Sequence, residues 1–171
     1  PRGWYARLID RAREGGAKAV GLDVYLSEEG GDYPDQEPEG APPDKDRAAD
    51  LALAESIYNT ENIVLVQKLE AGGVPAIFPH PLFAEGATAV GFADFPLDGD
   101  QAVRATQLVV TPRGGEPQQS FAAALAQLYT GETLQPEGEG AVRLGARRFP
   151  LRNDYTLQLD FRGRAPSFRP V

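Results

Sequence analysis

Two short runs of the sequence, Ala17 to Leu26 (AKAVGLDVYL) and Ile63 to Leu69 (IVLVQKL), are apolar at almost every position. A half-buried strand alternates apolar with polar residues, whereas an unbroken apolar run suits a strand covered on both faces, as parallel strands flanked by helices are. Each run follows a stretch with helical spacing. Trp4, Leu8 and Ala12 recur one helical turn apart with Tyr5 and Ile9 beside them, and Gly15-Gly16 supplies the stop. Asp46 stands as N-cap for a second helix carrying Leu51, Ala54, Ile57 and Tyr58, with Asp50 near its positive end. Helix then strand, twice over, is the half-unit of an α/β fold.

The stretch from Glu28 to Asp46 differs in kind: eight acidic residues, one basic, four prolines and three glycines occupy nineteen positions. It has too little apolar surface to offset the entropy of ordering it, and reads as an acidic surface loop over 28–46. Pro75 to Pro81 holds three prolines and cannot be helical throughout. After it, Gly86-Ala87-Thr88-Ala89-Val90-Gly91-Phe92 echoes Gly16-Ala17-Lys18-Ala19-Val20-Gly21-Leu22 at five of seven positions. One such match is shared strand chemistry and no repeat array. The turn at Asp98-Gly99-Asp100 leads into a β-branched run, Ala102 to Thr111, so that residues 89–111 are expected to form a hairpin. Ser120 caps a helix bearing Phe121, Leu125, Leu128 and Tyr129 and closed by Gly131. Val142 to Leu144 and Arg147 to Phe149 flank Gly145-Ala146, a type II′ hairpin signal. Tyr155, Leu157, Leu159 and Phe161 alternate with polar residues as a half-buried strand does. The expected fold class is α/β: a mixed sheet with flanking helices and an antiparallel edge of hairpins, one domain over residues 1–171.

Composition removes many functions. The 171 residues include no cysteine, which excludes disulfides, thiolate metal sites and a cysteine nucleophile, and a single histidine, His80. Seventeen basic against twenty-five acidic residues argue against a phosphate-binding surface and so against nucleic acid. No run approaches the roughly 18 apolar residues of a membrane-spanning helix, and no signal-peptide layout opens the chain. Position 1 is proline, so the chain reads as an excised piece of a longer product. The chain has no G-x-S-x-G element and no glycine-rich phosphate cradle. Ser120 reads as a helix cap, and His80, between two prolines, as a solvated or core-edge imidazole. Asp32, Asp35, Asp44 and Asp46 lack the alternating spacing of a calcium loop and read as a solvated face. No catalytic residue, metal or cofactor is expected. Asp23 and Asp94 lie in or at the end of apolar strands, where a carboxylate needs a cation or several backbone donors. Asp23 is expected to be buried and charge-compensated. Arg104 and Arg162 are the candidate partners; such pairs read first as plain structural ion pairs, and the same four residues, Asp23, Asp94, Arg104 and Arg162, are the candidate ligand or signal site.

Four segments together resemble a known family: WYARLIDRAREGGAKAVGLDVYLSE (Trp4 to Glu28), DGDQAVR (Asp98 to Arg104), PQQSFAAALA (Pro117 to Ala126) and LQLDFRGRAPSFRPV (Leu157 to Val171). They are similar, in that order, to the CHASE family, type two, the cyclase/histidine-kinase-associated sensory extracellular domains. The resemblance implies an extracytoplasmic sensor of a bacterial membrane receptor, preceded by one transmembrane helix and usually followed by several. The implied outputs are an adenylate or diguanylate cyclase, a histidine kinase or a serine/threonine kinase. It also implies that Asp23, Arg104, Arg162 and Gly163 occupy motif positions. Gln101 stands where the family usually has glycine, and Ala105 where a second arginine is common. The implied partners are an unidentified small molecule or protein signal, the membrane through segments outside this chain, and a second copy of the chain. A rival reading is an α/β enzyme fragment using paired carboxylates; a third is a domain that only binds protein.

Overall fold

The computed structural model describes residues 2–29, 44–112, 115–138, 140–152 and 156–160. In chain order the elements are α1 (Arg2–Glu14), β1 (Val20–Leu22), α2 (Asp44–Tyr58), β2 (Ile63–Gln67), α3 (Pro81–Ala84), β3 (Ala89–Phe92) and β4 (Ala105–Gln107). They continue with β5 (Val109–Val110), β6 (Gln118–Gln119), α4 (Phe121–Thr130), β7 (Leu134–Pro136), β8 (Ala141–Leu144), β9 (Arg147–Pro150) and β10 (Thr156–Gln158).

The centre is a parallel sheet in the order β1-β2-β3. Val20 pairs with Ile63 and Leu22 with Leu65; Val64 pairs with Ala89 and Gln67 with Phe92. Residues paired side by side in a parallel sheet share a face. One face therefore carries Val20, Leu22, Ile63 and Leu65, which pack with Ala6 and Ile9 of α1, Leu53 and Ile57 of α2, and Phe83 of α3. Leu53 and Ile57 are wholly buried; removing side chains of that size from water contributes about 1.5–3 kcal/mol each. α1 ends as its double glycine predicts. The N–H of Ala17 donates to the carbonyl of Ala12 at 3.0 Å and that of Gly16 to Arg13 at 3.0 Å, and the two bonds satisfy otherwise unpaired carbonyls.

The other face explains the sequence echo. Gly21 on β1 pairs with Val64, and Gly91 on β3 pairs with Val66, so both glycines open toward α4. A Cβ on Gly91 would lie 2.6 Å from the backbone of Phe121, and one on Gly21 would lie 2.8 Å from the side chains of Phe121 and Leu125. The repeated Ala-Val-Gly places a glycine on each outer strand so that one helix can lie close across all three.

The antiparallel strands form three further sheets. β4 pairs with β10, β5 with β6, and β7-β8-β9 form a meander. Gly145 takes a φ of 57° between β8 and β9, the sign that a type II′ turn requires at its first central position. The class is α/β, with parallel and antiparallel sheets and flanking helices, as expected.

Several expectations are corrected. Residues 89–111 do not form a hairpin: β3 runs parallel to β2, while β4 finds its partner in β10. An apolar run shows that a strand is buried but not which strand lies beside it. Tyr155 lies outside the described residues, while Thr156 is buried in β10. The buried stripe of α1 is Ala6 and Ile9, leaving Trp4 70% and Leu8 63% exposed; on α2 it is Leu53 and Ile57, leaving Leu51 and Tyr58 outside. α2 begins at Asp44, ahead of the expected cap at Asp46. Most of the acidic loop, including Asp32 and Asp35, lies outside the described residues.

Candidate functional site

Because β1, β2 and β3 are parallel and in register, their carboxyl ends lie side by side and present Asp23, Lys68 and Asp94 along one edge of the sheet. Gln67 pairs with Phe92, so the residues just past both strands meet. Asp94 Oδ1 accepts a hydrogen bond from Lys68 Nζ at 2.9 Å, and Oδ2 accepts one from the backbone N–H of Leu69 at 2.9 Å. Both side chains are half-buried. The hydrogen bond to Asp94 and then its charge raise the Lys68 pKa above its ordinary value, with a smaller contribution from Tyr25. The ammonium is thus held protonated. A short antiparallel arm follows β2, closed by backbone bonds between Lys68 and Ile77 in both directions, and its base carries the exposed Phe78. Phe95 and Leu97 are exposed on the segment leaving β3.

Asp23 is exposed and makes no ion pair with a described residue, contrary to the expectation of a buried, compensated carboxylate. β1 stops at Leu22, and apolar residues on either side of Asp23 do not reveal that the strand ends just before it. Asp94 is compensated as expected, but by Lys68 and a backbone donor. Arg104 instead clamps its own turn, with Nη1 donating to Asp98 Oδ2 and Asp100 Oδ1 at 2.7 Å and Nη2 to Asp100 Oδ2 at 2.7 Å. These contacts raise the pKa of Arg104 and hold the Asp100 carboxyl below its ordinary value. Arg162 and Gly163 lie outside the described residues. Lys68 had a signal in the sequence: it is the lone charge ending one apolar run, as Asp94 is the lone charge ending another.

A second charged cluster joins α1, α2 and the end of the β1 segment. Arg2 donates to Asp50 and to the carbonyl of Glu28, and its guanidinium lies 5.2 Å from the centre of the Phe83 ring. Asp50 is wholly buried, and truncating one member of such a pair costs about 3–5 kcal/mol through the uncompensated charge left behind. His80 is a core-edge imidazole. Its Nδ1 accepts from the N–H of Leu82 at 3.3 Å as the cap of α3, its ring meets Phe83 edge-on, and its Nε2 lies 4.0 Å from Glu29. Ser120 caps α4, accepting from the N–H of Ala123 at 3.2 Å. Among the described residues no group of three or more His, Asp or Glu converges as a metal ligand set, and no helix is long and apolar enough to cross a membrane.

These features define an α/β module whose parallel strand ends carry fixed charges along one edge of the sheet. The chain belongs to the CHASE2 domain family, which matches residues 1–171, the whole of it. This is a family of sensory domains found in signalling proteins. No curated protein and no solved structure matches the chain.

Proposed function

We propose that the chain is the extracytoplasmic sensory domain of a bacterial transmembrane signalling receptor, and that it performs no catalysis itself. In this reading the output is an adenylate or diguanylate cyclase, a histidine kinase or a serine/threonine kinase in a separate cytoplasmic domain, reached through membrane segments outside this chain. The observation that supports it is the family match over the full length.

The strand-end edge is the proposed sensing surface. Lys68 and Asp94 present a cation and an anion 2.9 Å apart, with Asp23 and Tyr25 exposed on the neighbouring strand end. A small molecule or protein signal that exchanges one partner of that pair alters how β2 and β3 are tied together beyond their last ladder bond. It shifts the output only if it binds one state better than the other, and a differential of about 1–3 kcal/mol suffices. Arg104 contributes by holding the Asp98–Asp100 turn on the segment leaving β3. Self-association of the domain carries the shift to a paired output.

The test is the complete receptor in a reporter strain, comparing wild type with Asp23→Ala, Asp94→Ala and Arg104→Ala at matched surface expression. Loss or constitutive activation of the response in Asp94→Ala is expected. Normal responses in all three variants refute the edge as the sensing surface, and a chain whose flanking sequence contains no membrane span refutes the receptor reading itself.

A further inference from the structure

The strands of the β7-β8-β9 meander pair only with one another among the described residues. The Leu134 N–H donates to Gln127 Oε1 of α4 at 2.7 Å, and along the rest of the seam apolar side chains of the meander face the β4–β5 segment and α4. Two hollows remain in that seam. The larger, about 540 Å³, is walled by residues including Leu108, Val110, Pro136, Val142 and Leu151. The smaller, about 240 Å³, lies on the other side of Leu108 against the alanine face of α4, with Phe149 and Leu157 opposite. The larger volume falls within the roughly 300–1,000 Å³ typical of small-molecule sites.

We propose that this seam is a binding site for a neutral, mainly hydrocarbon small molecule carrying one hydrogen-bonding group. The site is separate from the strand-end edge and does not depend on the sensing role proposed for that edge. Charge decides the ligand class. A quarter of the chain is Asp, Glu, Lys or Arg, yet none of the described residues lining either hollow is charged. A charged ligand would shed its hydration there and find no counter-charge, and the net charge of -8 adds repulsion toward anions. Both hollows open to solvent on one side and are lined mainly by apolar side chains, so a hydrocarbon ligand that enters displaces water from apolar surface. The polar end has one provision. Gln107 lies in the wall of the larger hollow, and its side-chain amide, both donor and acceptor, makes no hydrogen bond to a described residue. A hydroxyl or carbonyl on the ligand would complete it.

The experiment uses the full 171-residue chain and a neutral phenylnaphthylamine dye whose fluorescence rises in apolar surroundings, with decanol and decanoate as competitors. Saturable dye binding is expected, displaced by decanol and at least roughly tenfold less well by decanoate, a difference of about 1.4 kcal/mol. Val142→Trp fills the larger hollow and should abolish dye binding while far-ultraviolet circular dichroism stays native; Val110→Phe serves if that variant does not fold. Gln107→Ala should weaken decanol competition without weakening the dye. Unsaturable dye uptake, equal binding by the filled variants, equal competition by decanoate, or a dimer in light scattering that takes up no dye would each overturn the proposal.

Discussion

Substituting alanine at the two glycines of the sequence echo tests whether α4 rests on the strands as described. At Gly91 the added methyl would sit 2.6 Å from both Cα and N of Phe121 and 2.9 Å from the carbonyl carbon of Ser120. These are backbone atoms at the capped start of a helix, and they cannot rotate aside. At Gly21 the methyl meets Leu125 Cδ1 and Phe121 Cζ at 2.8 Å, side-chain ends that have other rotamers. Overpacking costs about 1–3 kcal/mol, so Gly91→Ala belongs at the top of that range and Gly21→Ala near the bottom. At roughly 2–4 °C per kcal/mol for a chain of this size, Gly91→Ala should lower Tm by about 6–12 °C and Gly21→Ala by about 2–4 °C. Gly99→Ala is the control, since a Cβ there meets nothing within 4 Å. Differential scanning calorimetry of the three variants is the measurement. Equal losses at the two echo glycines, or a Gly91→Ala protein melting with the wild type, would refute the close approach of helix and sheet.

Two further predictions concern the turn that Arg104 clamps. Gln101 has a φ of 61°, the only positive value outside glycine among the described residues; left-handed backbone costs a side chain about 1–2 kcal/mol, against about 0.5–1 kcal/mol of extra chain entropy for glycine. Gln101→Gly should therefore stabilise the chain by about 0.5–1 kcal/mol and raise Tm by about 1–4 °C, and a lower Tm would count against the strain. Because its hydrogen bonds to Arg104 hold the Asp100 carboxyl below its ordinary 3.8, the unfolded chain binds the proton first as pH falls. The stabilisation from this contact is complete above that value and disappears as pH drops through the lower folded one. A carbon-13 carboxyl titration should show the Asp100 midpoint rising toward 3.8 in Arg104→Ala, and an unmoved midpoint would deny the contact.

What sequence reading captured was local. The double glycine closing α1, the Ser120 cap, the Gly131 stop of α4 and the Gly145 turn each depend on a few adjacent residues, and each appears in the structure. β2 was visible because every residue from Ile63 to Gln67 is buried. Pairings between distant segments were not visible. Nothing within Ala102 to Thr111 says that its partner is Leu157 rather than Val90, because strand composition reports burial and not neighbours. Helix faces failed for a related reason. Trp4 and Leu8 sit one turn apart, as a core stripe would, but Arg2 paired with the buried Asp50 turns the Ala6–Ile9 side inward. At the candidate site, the aspartates were found and their surroundings were not: the partner of Asp94 comes from the adjacent strand, and the exposure of Asp23 depends on where β1 stops.

The pairing of β4 with β10 has a consequence for how the chain is made. The contact joins segments far apart in sequence; Gln158 Nε2 donates to the carbonyl of Arg104 across 54 residues. At about 5–20 residues per second, a ribosome needs roughly 3–11 s to release the second strand after the first. For that interval Ala105–Gln107 is an open strand edge with its backbone donors and acceptors unmatched, the kind of edge that recruits other chains. The parallel sheet also requires long-range closure, since Val20 must meet Ile63 before the core can form. Nascent chains on one message therefore carry matching open edges at the same time, and slower translation is expected to lower the yield of folded protein.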